Sequence, residues 1–270
     1  MNKLRVTDLR ERISLRGQHL TDVPETLRNA PRLKHLDLSH TGLTHLPDWL
    51  WSLDQLESLN LAENALWSVP DGVGNLSRLR MLDLGHNSLT ALPESLASLD
   101  QLSDYLYLSE NRLTRFAPFL GRLTRLKYLG FTHNQLADLP EAIGDLSSLR
   151  ELRLYNNRLR ELPPSIGRLT QLRELHLHDN QLSALPAEIG ALASLRILDL
   201  RNNRVGWLPD SLGRLANLGF LDLRANGFSR LPESLAGLPR LEKLDVRWNR
   251  IEPLPGWLED LERRGCAVLV

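Results

Sequence analysis

Apolar and polar residues follow one repeating pattern along almost the whole chain. The stretch LRELRLYNN at 149–157 shows it, because its leucines alternate with polar residues and Leu152 and Leu154 therefore share one face, as in a β-strand. Pro163 comes six residues after the last asparagine, and an IGRL sequence at 166–169 begins the return to the next unit. Since proline stops strand pairing, the pattern predicts one strand per unit and then a short helical or 3₁₀ turn.

An asparagine marks the same place in nine of these units, and successive asparagines lie 23 residues apart except for one gap of 24. Going back by the same step reaches Thr41 and Gln18, whose polar side chains could replace part of the amide's hydrogen bonding. We expect the buried amides to bond backbone groups in the turn that leaves each strand, since stacked units would otherwise leave polar groups unpaired. This predicted structural ladder consists of Asn64, Asn87, Asn111, Asn134, Asn157, Asn180, Asn203, Asn226 and Asn249.

The aligned columns of leucine, asparagine and proline resemble the leucine-rich-repeat family, in the 23-residue form common in bacterial and intracellular members. The resemblance covers about residues 9–270 and eleven units. It implies an α/β solenoid, or horseshoe, with a parallel β-sheet on the concave face and short helical or 3₁₀ turns on the convex face. No unit can bury its leucines alone, so each depends on its neighbours.

A single repeat domain is expected over residues 1–270, because no low-complexity linker interrupts the units. Residues 1–12 predict a thin N-terminal cap, with only Leu4, Val6 and Leu9 as apolar cover. About eleven repeats follow from 9 to 257. Residues 258–270 predict a C-terminal cap made of a last helical turn and a final strand that closes the sheet edge.

The outward-facing positions, which lie six, four and two residues before each asparagine, vary along the chain and are where binding is expected. All four tyrosines of the chain fall on these positions, beside small residues. Such a surface is typical of protein-binding hot spots, although tyrosine also suits an exposed strand without any function. The predicted partner-binding residues are Met81, Tyr105, Tyr107, Tyr128, Arg153, Tyr155, His176, His178, Arg201, Arg224, Arg247 and Trp248.

One unit carries an extra residue, in the sequence LSDYL at 102–106. The insertion should bulge the entrance of the strand. Two interpretations stay open at this point: the bulge re-aims Tyr105 toward a ligand, or the insertion is simply tolerated in a loop.

Aspartate and arginine form matching rows in the last third of the chain, at Asp199/Arg201, Asp222/Arg224 and Asp245/Arg247. In one interpretation these residues pair with each other, which contributes little per exposed pair. In the other they form a docking strip that orients a charged partner.

The charge balance argues against some classes of partner. The 33 Lys and Arg residues equal the 33 Asp and Glu residues, so there is no global electrostatic case for binding nucleic acid or an anionic membrane. No apolar run in the sequence predicts a signal peptide or a membrane span, which favours a cytoplasmic monomer, with export as an effector left open. The single Cys266 excludes an intramolecular disulfide framework and is expected to be buried.

Catalytic motifs are missing from the sequence: it contains no GxxxxGK[ST] loop, no GxSxG elbow and no HExxH motif. We therefore expect no enzymatic activity, no cofactor and no metal. His176 and His178 lie two residues apart, with Asp199 in the next unit, which makes a surface metal site conceivable. Exposed histidine pairs in repeat proteins are more often ordinary polar surface.

The sequence thus predicts a non-enzymatic scaffold that binds a partner protein or peptide on the concave sheet. The resemblance also implies an alternative, a substrate-recognition part of a bacterial secreted effector, for example of the ubiquitin-ligase type, whose catalytic domain lies outside these 270 residues. A third possibility is self-association through the thin N-terminal cap.

Overall fold

The computed structural model describes residues 11–270, so the predicted apolar cover at Leu4, Val6 and Leu9 lies outside the described residues. Residue contacts divide the chain into two compact units, 1–134 and 135–270. The expectation of a single domain over 1–270 stays a prediction.

Over residues 11–134 the first unit contains six short strands, and neighbouring strands within it pair in parallel. The middle residue of every strand is buried, as Leu36 and Leu59 show where they face each other in register. The flanking residues point outward, which is the alternation that the leucine pattern predicted. The strands are β1 Arg12–Ser14, β2 His35–Asp37, β3 Ser58–Asn60, β4 Met81–Asp83, β5 Tyr105–Tyr107 and β6 Tyr128–Gly130.

The second unit repeats this arrangement and ends with one α-helix and one further strand. Helix α1, Trp257–Arg263, buries Leu258 and Leu261, and the strand after it pairs in parallel with its neighbour. Cys266 between them is buried, as expected, and burial raises the pKa of its thiol. The strands are β7 Glu151–Arg153, β8 Glu174–His176, β9 Ile197–Asp199, β10 Phe220–Asp222, β11 Lys243–Asp245 and β12 Ala267–Leu269.

A five-residue 3₁₀ turn follows each of ten strands, so the predicted short return turns are confirmed. Nearly all of these turns begin directly after the repeat proline, whose fixed φ suits the extended residue before a helical turn, as at Pro163 with φ −70° and ψ 150°. The turns are Glu25–Asn29, Asp48–Ser52, Asp71–Asn75, Glu94–Ser98, Pro118–Arg122, Glu141–Asp145, Pro164–Arg168, Ala187–Ala191, Asp210–Arg214 and Glu233–Gly237. Among the described residues, no helix combines the length and the apolar character that a membrane span requires.

Glycine permits close approach between successive turns of the second unit. A Cβ atom added to Gly190 would lie 2.3 Å from the carbonyl oxygen of Ser211, and one added to Gly144 would lie 2.4 Å from that of Ser165. Any side chain at these positions would therefore force the backbones apart. The repeated glycine sets the spacing of the turns and is structural.

The nine ladder asparagines bond the backbone at the turns that leave strands β3 to β11. Asn180, for example, accepts a hydrogen bond from the N–H of Leu159, at 3.0 Å, and donates to the carbonyls of Leu154 at 3.0 Å and Leu177 at 2.9 Å. Thr41 occupies the same column and replaces part of the amide's hydrogen bonding, since its hydroxyl donates to the Leu38 carbonyl at 2.8 Å. Its own carbonyl accepts the N–H of residue 20.

The inserted residue lies just before β5 and leaves that strand in regular register. The N–H groups of Ser103 and Asp104 both point to the carbonyl of Arg80, at 3.3 and 2.9 Å. Tyr105 then pairs with Met81 as its counterparts do in the other strands. The extra residue is therefore absorbed at the entrance of the strand, and Tyr105 keeps the ordinary outward position.

Candidate partner-binding face

Three tyrosine rings lie together on the outward face of the first unit. The ring centroids of Tyr105 and Tyr107 are 4.7 Å apart, and those of Tyr107 and Tyr128 are 4.6 Å apart, with tilted planes. Gly130 makes room for this arrangement, because a Cβ atom there would lie 3.2 Å from the Tyr128 ring. Met81 pairs with Tyr105 on the adjacent strand and is half-buried. These four residues form the tyrosine cluster, a half-buried and amphipathic surface.

A carboxylate lies beside the tyrosine cluster. Asp83 is the register partner of Tyr107 on the neighbouring strand, and its Oδ1 atom accepts the N–H of Gly85 at 2.9 Å. Burial raises the pKa of Asp83. Burial also raises the pKa of Tyr105, and the negative charge of Asp83 adds to that increase. The Asp83 carboxylate and the Tyr105 side chain are therefore close enough to interact electrostatically.

A groove of about 390 Å³ adjoins the cluster over β1 to β3. Tyr105 forms one wall, and His35 lies within it with its Nδ1 atom 2.8 Å from the Ser58 hydroxyl. Burial, reinforced by the positive charge of Arg12, lowers the pKa of His35. The polar side chains along the groove are Arg12, Ser14, His35, Asp37, Ser58, Asn60 and Tyr105.

The other eight predicted binding residues lie in the second unit, where Tyr155 and His178 form an aromatic pair. Their ring centroids are 4.2 Å apart and the planes are almost parallel, at 11°. The Nδ1 atom of His178 lies 2.7 Å from the Asp179 carboxylate. Burial alone would raise the pKa of Asp179, but hydrogen bonds from His178 and Asn202 lower it overall. The hydrogen bond to Asp179 thus fixes the buried His178 ring against which the Tyr155 ring stacks.

Potential metal ligands meet at a different place from the one suggested by the histidine spacing. Ligand atoms of Glu151, Glu174 and His176 lie within 4.8 Å of one another. The Nε atom of Arg153 already bonds Glu151 at 2.5 Å, and His176 lies 3.1 Å from Glu174. Over residues 11–270, His176, His178 and Asp199 do not form such a group. An arginine at hydrogen-bond distance competes with any cation for this site.

The aspartates and arginines of the second unit pair with each other, as the first of the two interpretations predicted. Arg224 lies 2.6 Å from Asp222 and 3.3 Å from Asp245, and Arg247 lies 2.7 Å from Asp245. Burial alone would raise the pKa of the fully buried Asp245, but the hydrogen bond from Arg247 lowers it overall. Arg201 is looser, since its Nε atom is 3.6 Å from Asp199.

Trp248 is the most exposed large apolar side chain of this set, at 70%. The guanidinium carbons of Arg224 and Arg247 lie 5.9 and 5.6 Å from the centroid of its ring, within the range of cation–π attraction. Its φ of 62° lies in the left-handed region, which bulky residues rarely adopt. The residue before each ladder asparagine shares this conformation, as His86 and His133 do, and so does His40 before Thr41.

Asp83 is a site residue that the sequence reasoning missed. A signal was available, because Asp199, Asp222 and Asp245 each have an arginine two residues later, whereas Asp83 has Gly85 there. An aspartate that lacks this arginine has no partner of opposite charge on its own strand, and Asp83 is such a residue.

Comparisons with known proteins agree with this architecture. Models described as "Leucine rich repeat" match residues 11–66 and 54–113, one described as "Leucine-rich repeat region" matches 115–196, and a third, "Leucine Rich Repeat", matches 194–215. The chain belongs to the leucine-rich-repeat family. A search of curated proteins gave no match.

Solved structures of other leucine-rich-repeat proteins are similar to this chain. The leucine-rich-repeat protein LIC12759 of Leptospira interrogans is 26% identical with a TM-score of 0.62, over 95% of this chain and 83% of that one. The plant peptide hormone receptor RGFR1, in complex with RGF2, is 28% identical with a TM-score of 0.75, over 95% of this chain but only 46% of the receptor. An internalin from Listeria monocytogenes, 20% identical with a TM-score of 0.72 over 96% of this chain and 79% of that one, shows the fold alone.

Proposed function

We propose that this leucine-rich-repeat protein is a non-enzymatic interaction scaffold, which binds a partner protein or peptide on the outward face of its strands. The observation that carries the proposal is the tyrosine cluster, in which three adjoining rings occupy outward positions of a parallel sheet. Tyrosine supplies a large contact area at low cost in conformational entropy, and it is enriched at interface hot spots. The complex of the similar receptor RGFR1 with RGF2 supports binding of a peptide by this fold.

The contributions that we assign to the second unit follow from the exposure of its residues. In the second unit, Tyr155 stacks on His178, and Arg153 pairs with His176 in register on the neighbouring strand. We propose that these residues form contacts of their own with a partner. Arg201 and Arg247 keep 37% of their side chains exposed although they are paired with aspartates. We assign these two, together with Arg224 and Trp248, a steering role, since paired charges at a rim affect the association rate more than the affinity.

The test is a titration with a purified partner, obtained by affinity capture with the wild-type chain. Replacing Tyr107 and Tyr128 by alanine together should weaken binding about 100-fold or more, since hot-spot truncations cost about 2 kcal/mol or more each. Both strands keep their buried leucines, so the fold should persist. Trp67→Ala is the matched control, because this tryptophan is 66% exposed but lies outside the strands. Equal affinity for the double variant and the control would contradict the proposal.

The alternative function, recruitment of substrates for a catalytic domain in a longer chain, would use the same face. An effector of that kind should carry a catalytic domain in the same reading frame, and the captured partner should be modified only when that domain is present. A partner bound but unmodified by the full-length product would favour the scaffold.

A further inference from the structure

The outward positions of the first unit differ in charge from those of the second. From β2 to β6 these positions contain two carboxylates, Asp37 and Asp83, but neither lysine nor arginine. In the second unit, Arg201, Arg224 and Arg247 accompany the aspartates of β9, β10 and β11. Strands β2 to β6 therefore present negative charge that no lysine or arginine at the outward positions of those strands neutralises.

The two carboxylates are satisfied only by neutral donors. Asp37 accepts hydrogen bonds from the hydroxyls of Ser14 at 3.2 Å and Ser39 at 2.7 Å, and Asp83 accepts one from the N–H of Gly85 at 2.9 Å. Among residues 11–270, no lysine or arginine forms an ion pair with either of them. Because burial raises the pKa of Asp83, the ionised form of this carboxylate is poorly solvated and gains free energy from an added cation.

The tyrosine cluster provides the second half of a cation site. Asp83 and Tyr107 face each other in register on adjacent strands, which are roughly 4.8 Å apart in a β-sheet. The face of a tyrosine ring attracts a guanidinium or ammonium group, and a carboxylate forms a charge-assisted hydrogen bond with it. A single basic side chain can therefore contact both groups at once.

The adjoining groove offers space for the rest of a peptide. Its volume of about 390 Å³ is bordered by Tyr105, and its floor carries the neutral polar groups of Ser58 and Asn60. Arg12 lies at the opposite end of the groove, on β1. The Asp37 carboxylate lines the groove, and Asp83 acts on Tyr105 at its wall, so a basic segment is favoured there, whereas Arg12 disfavours positive charge at its own end.

We propose that the first unit binds a basic peptide segment of its partner, with one arginine or lysine side chain held between the Asp83 carboxylate and the rings of the tyrosine cluster. This inference rests on the proposed function and specifies the chemistry of the ligand. Charge complementarity decides the choice of a basic segment over an acidic or purely apolar one, because the site combines an unpaired carboxylate with aromatic faces.

The experiment is a selection of phage-displayed random 12-residue peptides on the intact chain, followed by titration of the best synthetic peptide. We expect the selected peptides to share an arginine or lysine. Replacing that arginine by neutral, isosteric citrulline, or its lysine by norleucine, should weaken binding about tenfold or more, and Asp83→Asn should have the same effect. Combining both changes should cost little beyond either one, since they remove the same contact. Asp100→Asn, at an exposed carboxylate of the same unit, should leave the affinity unchanged.

The possible results separate this inference from the proposed function. If the selected peptides lack basic residues or bind Asp83→Asn as tightly as the wild type, the inference is overturned. The proposed function survives that result when the same peptides lose affinity for the Tyr107→Ala/Tyr128→Ala variant. Failure to select any peptide also overturns the inference, while the titration with the captured protein still decides the proposed function. Thermal unfolding of Asp83→Asn at or above the wild-type temperature shows that a loss of affinity is not a loss of fold.

Discussion

The asparagine ladder supplies the sharpest test of how the repeats are held together, and Asn180→Ala is the perturbation of choice. The Asn180 side chain contacts backbone groups of two successive repeats. The Leu154 carbonyl would keep a second donor, the Asn157 amide at 2.9 Å. The Leu177 carbonyl would likewise keep the Asn203 amide at 3.0 Å. Only the buried N–H of Leu159 would lose its single partner.

These contacts set the expected cost of the substitution. A buried donor left without a partner costs about 1–3 kcal/mol. Three carbonyls, those of Leu154, Leu177 and His178, lose one donor but keep another, and together they lose about 1 kcal/mol. Asn180→Ala should therefore lower the free energy of unfolding by about 2–4 kcal/mol.

The assay is urea unfolding, followed by circular dichroism and tryptophan fluorescence, together with hydrogen exchange of the Leu159 amide. Asn217→Ala is the control, since its side chain bonds the Ala193 carbonyl and Arg240 at an exposed site, and it should cost less than about 1 kcal/mol. The Leu159 amide should exchange much faster in Asn180→Ala than in the wild type. Equal unfolding free energies for the two variants, or an unchanged Leu159 exchange rate, would refute the reasoning.

Two further predictions concern packing and charge. Gly190→Ala should destabilise the chain by about 1–3 kcal/mol, because the new Cβ atom would lie 2.3 Å from the Ser211 carbonyl oxygen. Gly237→Ala, which has open space around the new atom, should be neutral or slightly stabilising. Similar melting temperatures for the two variants would contradict the close approach of the turns. Asp83→Asn should be more stable than the wild type at pH 7. Folding raises the pKa of the Asp83 carboxyl, so the wild-type free energy of unfolding falls as the pH rises above 3.8, the usual pKa of this group. This advantage should vanish in unfolding experiments well below pH 3.8, where Asp83 is protonated in both states, and an advantage that does not depend on pH would contradict the role of burial.

The strands and turns were predictable because their positions depend on local chemistry. Leucines alternating with polar residues can bury one face only as a strand, and proline cannot continue the sheet, so the pattern around Pro163 determines where each element begins and ends. The buried middle residue of each strand from β1 to β11, such as Leu152, follows from the same alternation.

The site was only partly predictable, because it depends on contacts between repeats. The outward positions of the tyrosines follow from spacing, but the mutual contact of Tyr105, Tyr107 and Tyr128 depends on side-chain torsions and on the space above Gly130. Composition alone does not separate Asp83 from Asp222, since the difference lies in the presence of an arginine two residues later.

Sequence spacing also misjudged two polar sites. His176 and His178 share a strand face by spacing, yet His176 joins Glu174 whereas His178 bonds Asp179 and stacks on Tyr155. Gln18 occupies the ladder column by spacing but is exposed, and it lies in the first described repeat. In both cases the spacing gives the position of a residue, while its neighbours in the sheet determine its partners.

Photochemical crosslinking from the tyrosine cluster tests the central claim most directly. Benzoylphenylalanine placed at position 107 of the otherwise wild-type chain should crosslink to the captured partner on irradiation, because the Tyr107 ring lies on the outward face between two other tyrosines. The same group at position 67, which is exposed but outside the strands, should give no crosslink. A partner that crosslinks from position 67 and not from position 107 would show that binding takes place elsewhere and would contradict the account.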